Sequence, residues 1–186
     1  MAEIISVRTV YDFDGNGVID QMINRRFYTI KIPVDINHPL GRKGKAFVTA
    51  WKQLKGDANN NAGMLVLDQD VALDPHDYKM MLQSIDRYPD DVSLAPVKIW
   101  PVSTKRPDWV WGHATEEDRS QISHDNPKYF SFCFTYLPKR LINACIKAGW
   151  ENWDYPGADT PVALKAFVMG IPKHVVKDCM PKHMNY

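Results

Sequence analysis

Short apolar runs bounded by turn residues alternate along this chain with segments whose apolar positions recur every three or four residues. Ile4 to Val10 (IISVRTV) and Phe27 to Val34 (FYTIKIPV) are rich in β-branched residues and predict strands, the second ended by the Pro33 region and Pro39. Gly44 to Leu54 carries Phe47, Ala50, Trp51 and Leu54 at helical spacing, and Gly56 stops it. After the polar loop GDANNNAG, Met64 to Leu67 (MLVL) has the uninterrupted apolar character of a buried central strand. Asp74-Pro75 then opens a helix from about His76 to Ile85, with Asp74 as N-cap and the proline in the first turn.

Farther on, Ser93 to Trp100 predicts one strand and Pro101 to Asp125 a long polar segment holding Trp109, Trp111 and His113. Tyr129 to Thr135 is strand-like, and Pro138 to Ala148 predicts a helix closed by Gly149. Asp159 to Met169 predicts another, with Asp159 at its N-cap and Gly170 past its end. His174 to Lys177 predicts a last short strand. Such alternation implies an α/β fold, with a largely parallel sheet covered by helices on both faces. Ligands of such sheets bind outside the carboxyl ends of the strands.

Composition narrows the picture. With 186 residues, 45% hydrophobic and 24% charged, the chain can bury a core as a single domain, and it shows no repeat or low-complexity tract. No apolar run reaches the roughly 18 residues of a membrane span, and the N-terminus lacks a signal-peptide pattern, so a cytoplasmic protein is expected. Cys133, Cys145 and Cys179 are odd in number and far apart, which argues against a disulfide framework or zinc knuckle. A net charge of +1 gives no basis for binding long nucleic acid, although a local basic patch stays open.

The chemistry concentrates in Gly63 to Tyr78 (GMLVLDQDVALDPHDY), where the buried strand ends in Asp68-Gln69-Asp70. In extended backbone, residues two apart face the same side, so both carboxylates can address one cation. Hard divalent ions such as Mg²⁺ and Mn²⁺ take oxygen ligands and are often held by one or two carboxylates plus substrate phosphates. The triplet alone is weakly specific, since a second Asp-x-Asp occurs at Asp12/Asp14.

Its surroundings add to it. A helix opening on a basic-Gly element (Arg42, Lys43, Lys45), a hydrophobic strand, Asp-x-Asp and a Pro-initiated helix follow one another. Phe130 to Arg140, the Gly157-Ala158-Asp159 helix start, and Gly170-Ile171 followed by a strand and His183 come after them in order. Over roughly residues 27 to 183 this sequence of features resembles the GT-A glycosyltransferases, family 2-like and DxD-containing, by order and spacing. The resemblance implies a GT-A-like (Rossmann-like) mixed, mainly parallel sheet and an enzyme moving a sugar from a nucleotide-diphosphate sugar, a UDP-sugar foremost, to an acceptor hydroxyl. It implies Mn²⁺ or Mg²⁺ on Asp68 and Asp70, with Asp70 the more direct ligand and His183 a third ligand or a phosphate contact. Gln69, Arg42, Lys43 and Lys45 would sit with the donor, and Trp109, Trp111 and Trp153 would offer apolar faces to sugar, acceptor or base. Asp159 would be the base of an inverting transfer. Where the family often has Glu-Asp, this chain has Ala158-Asp159, which leaves Asp154 or Glu151 as rivals for the base and a plain N-cap as Asp159's other role. A nucleic acid enters this picture only as a modified-base acceptor.

Two other readings stay open. Asp12 to Asp20 (DFDGNGVID) looks like a short calcium loop, which would make the chain a non-catalytic calcium-binding or carbohydrate-binding module. It cannot be a working EF-hand, because Ile23 stands where the bidentate Glu is needed. Paired carboxylates at a sheet end also serve phosphoryl or nucleotidyl transfer, though no G-x-x-x-x-G-K-[ST] loop is present.

Overall fold

A computed structural model describes residues 5–10, 29–33, 47–49, 51–52, 63–68, 71–100, 109–110, 130–152 and 159–184. Its strands are β1 (Ile5–Val10), β2 (Thr29–Pro33), β3 (Met64–Leu67), β4 (Val71–Ala72), β5 (Val92–Leu94), β6 (Val97–Trp100), β7 (Trp109–Val110), β8 (Phe134–Leu137), β9 (Lys173–Val175) and β10 (Lys182–Met184). Residues 47–49 and 51–52 are helical. Three further helices are α1 (Pro75–Arg87), α2 (Lys139–Lys147) and α3 (Asp159–Val168), with a 3₁₀ turn at Trp150–Asn152.

The strands form two sheets, one of six in the order β2-β1-β3-β8-β5-β9 and one of four in the order β4-β10-β6-β7. In the larger sheet β2, β1 and β3 are parallel, β8 runs against both β3 and β5, and β9 is parallel to β5. Every strand but β8 therefore points the same way, and the mixed, mainly parallel sheet expected from the sequence is present.

β3 lies inside this sheet with side chains buried on both faces. Met64 and Val66 join a cluster with Phe47, Trp51, Leu141, Trp150, Val162 and Ala166, so the helical residues Phe47 and Trp51, α2 and α3 cover that face. Leu65 and Leu67 join Tyr78, Met81, Ile85, Phe134 and Tyr136 on the other, which α1 covers. Positions 78, 81 and 85 follow the helical period, so one stripe of α1 is buried. The Ser84 hydroxyl on α1 and that of Ser93 on β5 meet at 2.8 Å, pinning this helix to the strand beneath it. On the opposite face, Phe47 stacks on Trp150 at 5.8 Å and meets Phe132 edge-on at 5.1 Å.

Helix ends follow local chemistry. Asp74 caps α1, accepting from the Asp77 N–H at 2.9 Å, while the Asp77 carboxylate accepts from the Asp74 N–H at 3.1 Å. This reciprocal pair satisfies two of the otherwise orphaned donors at a helix start. Gly149 and Gly170 follow α2 and α3 with φ of 83° and 62°, the left-handed values that end helices.

Three sequence readings shift. The single strand Ser93 to Trp100 is two strands in different sheets, because the chain turns at Ala95-Pro96 and leaves β5 for β6. Pro96 has no N–H with which to continue a ladder. The strand read over Tyr129 to Thr135 is β8, displaced to Phe134–Leu137. The strand read near His174 is β9, and it is not the last, since β10 follows and pairs with β4 and β6.

Tyr136 is buried in β8; its hydroxyl donates to the Pro89 carbonyl at 2.9 Å and accepts from the Gly63 N–H at 3.2 Å. Burial pushes its phenol up to about 12, with the Gly63 hydrogen bond opposing and Asp90 adding a smaller upward push. Between the ordinary value of about 10 and about 12, the unfolded chain loses this proton and the native chain keeps it, so stability falls as pH rises through that window. Cys145, whose buried thiol is likewise pushed up to about 12, contributes to the same alkaline loss. Urea unfolding at stepped pH should show the decline, and Tyr136→Phe should flatten it. A Cβ on Gly63 would collide with the Leu137 carbonyl oxygen and the Tyr136 ring. Gly63→Ala should therefore cost about 1–3 kcal/mol in the same unfolding assay, as overpacking does.

Candidate metal centre

Asp68 follows directly on Leu67, where the buried run of β3 ends. Leu67 is 1% exposed, whereas Asp68 is half-buried, so the chain reaches the edge of the core within one residue. Two backbone bonds fix the exit: the Asp68 N–H donates to the Cys133 carbonyl at 3.0 Å, and the Val71 N–H donates to the Asp68 carbonyl at 3.3 Å. The second bond ties Asp68 to Val71, the first residue of β4.

The short β4 has a partner that the sequence does not show. It pairs antiparallel with β10, setting Val71 against His183 and Ala72 against Lys182. The residue after Asp70 is therefore the Cα partner of the C-terminal histidine, 112 positions along the chain. Directly opposite residues in an antiparallel pair have Cα atoms about 4.5–5.5 Å apart. On its other side β10 is parallel to β6, with His183 beside Ile99.

Gln69 and Asp70, the second and third residues of the motif, lie outside the described residues, as do Arg42, Lys43, Lys45, Trp111, His113, Trp153, Asp154 and the Asp12 to Asp20 loop. Only the backbone of His183 and Trp109 is described. Among the described residues no three His, Cys, Asp or Glu side chains gather in a metal-holding group. The donor set of Asp68, Asp70 and His183 nevertheless suits a divalent cation: two carboxylates serve Mg²⁺ or Mn²⁺, and imidazole suits the transition metals. The β4–β10 register places the His183 backbone opposite Val71, the residue that follows Asp70 in sequence.

Asp159 is the first residue of α3 rather than the residue before it, and it is buried, 8% exposed. Its Oδ1 accepts from the Thr160 N–H at 2.9 Å, so it serves the helix start from inside the first turn. α3 packs on the sheet through Val162, Ala163 and Ala166 and feeds through Gly170 into β9, which runs the same way as β3. Because β9 starts at the edge where β3 also starts, α3 ends near that edge, and its ten residues, about 15 Å long, lead away from Asp159 toward it. Glu151, the rival base, is exposed and paired with Lys52 at 3.0 Å.

Two residues that the motif reading passed over belong to this neighbourhood. Cys133 touches the Asp68 backbone through its carbonyl. Asp77 is a buried carboxylate in the first turn of α1. The Asp74-x-x-Asp77 spacing signals its capping role; its second role, described below, has no local signal.

No protein-family model matches the chain, and no curated protein does. Among solved structures it is similar to A197 from STIV, with a TM-score of 0.58 and 12% identity over 95% of this chain and 82% of that one. It is also similar to GalNAc-T7, solved with UDP, GalNAc and Mn²⁺, with a TM-score of 0.56 and 10% identity. That alignment covers 99% of this chain and 44% of GalNAc-T7, so the chain spans less than half of that protein. At such identities the likeness establishes the fold, a mixed α/β architecture of GT-A-like form. Among the described residues no helix is long and apolar enough to cross a membrane.

Of the three thiols, Cys133 is half-buried while Cys145 and Cys179 are buried. Burial pushes both buried thiols upward, and the carboxylates of Asp77 and Asp74 push Cys179 further. Alkylation of the native chain followed by peptide mapping should therefore label Cys133 first, with Cys145 and Cys179 reacting only on unfolding.

Proposed function

We propose that this protein is a metal-dependent glycosyltransferase that moves a sugar from a nucleotide-diphosphate sugar, a UDP-sugar foremost, to an acceptor hydroxyl. The observation that carries this reading is the β4–β10 register, which sets His183 against the residue following Asp70 at the end of a buried strand. The GT-A-like fold supports it, and GalNAc-T7, which shares that fold, was solved with UDP, GalNAc and Mn²⁺.

In this reading Asp68 and Asp70 hold Mn²⁺ or Mg²⁺, with His183 as a third ligand. A divalent ion bound there would offset the negative charge that builds on the nucleotide diphosphate as it leaves. Gln69, Arg42, Lys43 and Lys45 bind the donor. Asp159 takes the proton from the attacking acceptor hydroxyl, and attack opposite the leaving group inverts the anomeric centre. The chain is read as a single domain working in the cytoplasm, and its acceptor carries a hydroxyl, whether on a glycan, a protein, a small molecule or a modified base.

Release of nucleotide diphosphate from a panel of nucleotide-sugars, with and without Mn²⁺, tests the assignment. Asp70→Ala should abolish turnover. Asp159→Asn should lower the rate by about 10²–10⁴-fold while donor binding persists, as loss of a general base does. Full activity in both variants would overturn the site. Loss of calcium binding in Asp14→Ala, with no donor turnover in any form of the protein, would move the function to the Asp12 to Asp20 loop.

A further inference from the structure

Asp77 makes a contact that helix capping does not require. One carboxylate oxygen, Oδ2, accepts from the Asp74 N–H and completes the cap. The other, Oδ1, accepts from the backbone N–H of Met180 at 2.6 Å, 103 positions away in sequence. Asp77 itself is 5% exposed, and both bonds are partly buried, since Asp74 and Met180 lie at the surface. Hydrogen bonds to a charged acceptor are among the stronger ones.

Met180 stands at a particular place in the chain. After β9 the backbone leaves the six-stranded sheet: the Val176 N–H donates to Leu94 at 2.9 Å, and the Cys179 N–H closes a turn onto Val176 at 2.9 Å. Cys179 is buried in the same cluster as Val71, Leu73, Tyr78 and Met81. Met180 follows, and two residues later β10 begins and carries His183 to Val71. Asp77 lies three residues past the cap that follows β4. The chain that follows β4 thus grips, through Asp77, the chain that brings His183 opposite Val71.

We infer that Asp77 is a positioning residue for the metal site: its carboxylate clamps the backbone at Met180 and so holds β10, and His183 with it, against the strand that leaves Asp70. The inference rests on the metal site proposed above. Asp77 touches neither metal nor donor in this scheme and acts through the placement of β10. Residues that orient a metal ligand from behind typically change metal affinity by about 10–100-fold when removed.

Two measurements on the full chain test this, one without metal and one with Mn²⁺ alone. Asp77→Ala should raise amide exchange at residues 182–184 and weaken Mn²⁺ binding, read by electron paramagnetic resonance of the free ion, by about 10–100-fold. Asp74→Ala removes the other half of the cap and keeps the Met180 bond; it should lower thermal stability yet leave both readouts near wild type. The double variant Asp77→Ala/His183→Ala should bind Mn²⁺ no more weakly than His183→Ala, because both changes act through one ligand. If Asp77→Ala does not fold, Asp77→Asn gives the same comparison, since its amide must turn a donor toward one of the two N–H groups. Unchanged exchange at 182–184, equal losses in Asp74→Ala, or additive losses in the double variant would overturn the positioning role. A wild type that binds no Mn²⁺, while Asp77→Ala still loosens 182–184, would sink the metal site itself and leave Asp77 as a clamp of the fold alone.

Discussion

A strand buried on both faces cannot carry an ionised carboxylate, because taking that charge out of water costs more than the strand's own contacts return. β3 is such a strand, with Met64 and Val66 in one cluster and Leu65 and Leu67 in the other. Asp68 must therefore lie where the strand's buried run ends, and its carbonyl there accepts from the Val71 N–H. Much else follows from this exit. The chain emerges at the carboxyl edge of a mainly parallel sheet, where the strand direction concentrates ligand sites. It then makes only the two residues of β4 before Asp74 caps α1, which returns to cover the face that Leu65 and Leu67 present.

The second sheet gives this exit its chemical neighbours. β4, β10 and β6 come from three distant stretches, and none is long enough to be stable alone. They are held by what precedes and follows them. β6 continues from β5 after a bend at Ala95-Pro96, and β10 follows the buried Cys179 and the Met180 contact with Asp77. The buried core thus fixes the small sheet from its ends. Of the described residues proposed for the site, Asp68 follows a strand of the large sheet, His183 lies on the small one and Asp159 opens α3, so all three are carried by the α/β scaffold.

The larger architecture was legible wherever one local rule dominated. The MLVL run, the Asp74-Pro75 helix start and the glycines after α2 and α3 each carry a signal within a few residues, and the structure bears them out. Legibility failed where pairing at long range decided the outcome. Ser93 to Trp100 reads as one β-branched stretch, and only the competition between two sheets divides it at Pro96. β10 is three residues, Lys-His-Met, with no strand signature of its own, and its existence depends on partners in β4 and β6. The same holds for the candidate site. The Asp-x-Asp motif is visible in the sequence and His183 is suggested by its order in the chain, whereas the pairing of His183 with Val71 and the Asp77–Met180 bond exist only in the folded chain. Asp159 lies between these cases, since its cap-like signal was legible but its burial was not.

The central claim is the proposal that Asp68, Asp70 and His183 form a cation site for a nucleotide diphosphate. Calorimetric titration of UDP, GDP, TDP and CDP into the wild-type chain, each with and without Mn²⁺, tests it most directly. A ligand bound by the folded state alone also raises its thermal midpoint, which supplies an independent readout. The account predicts saturable binding of one nucleotide, UDP foremost, that requires Mn²⁺ and raises the midpoint. No heat and no shift with any nucleotide, alongside stabilisation by Ca²⁺ alone, would contradict it.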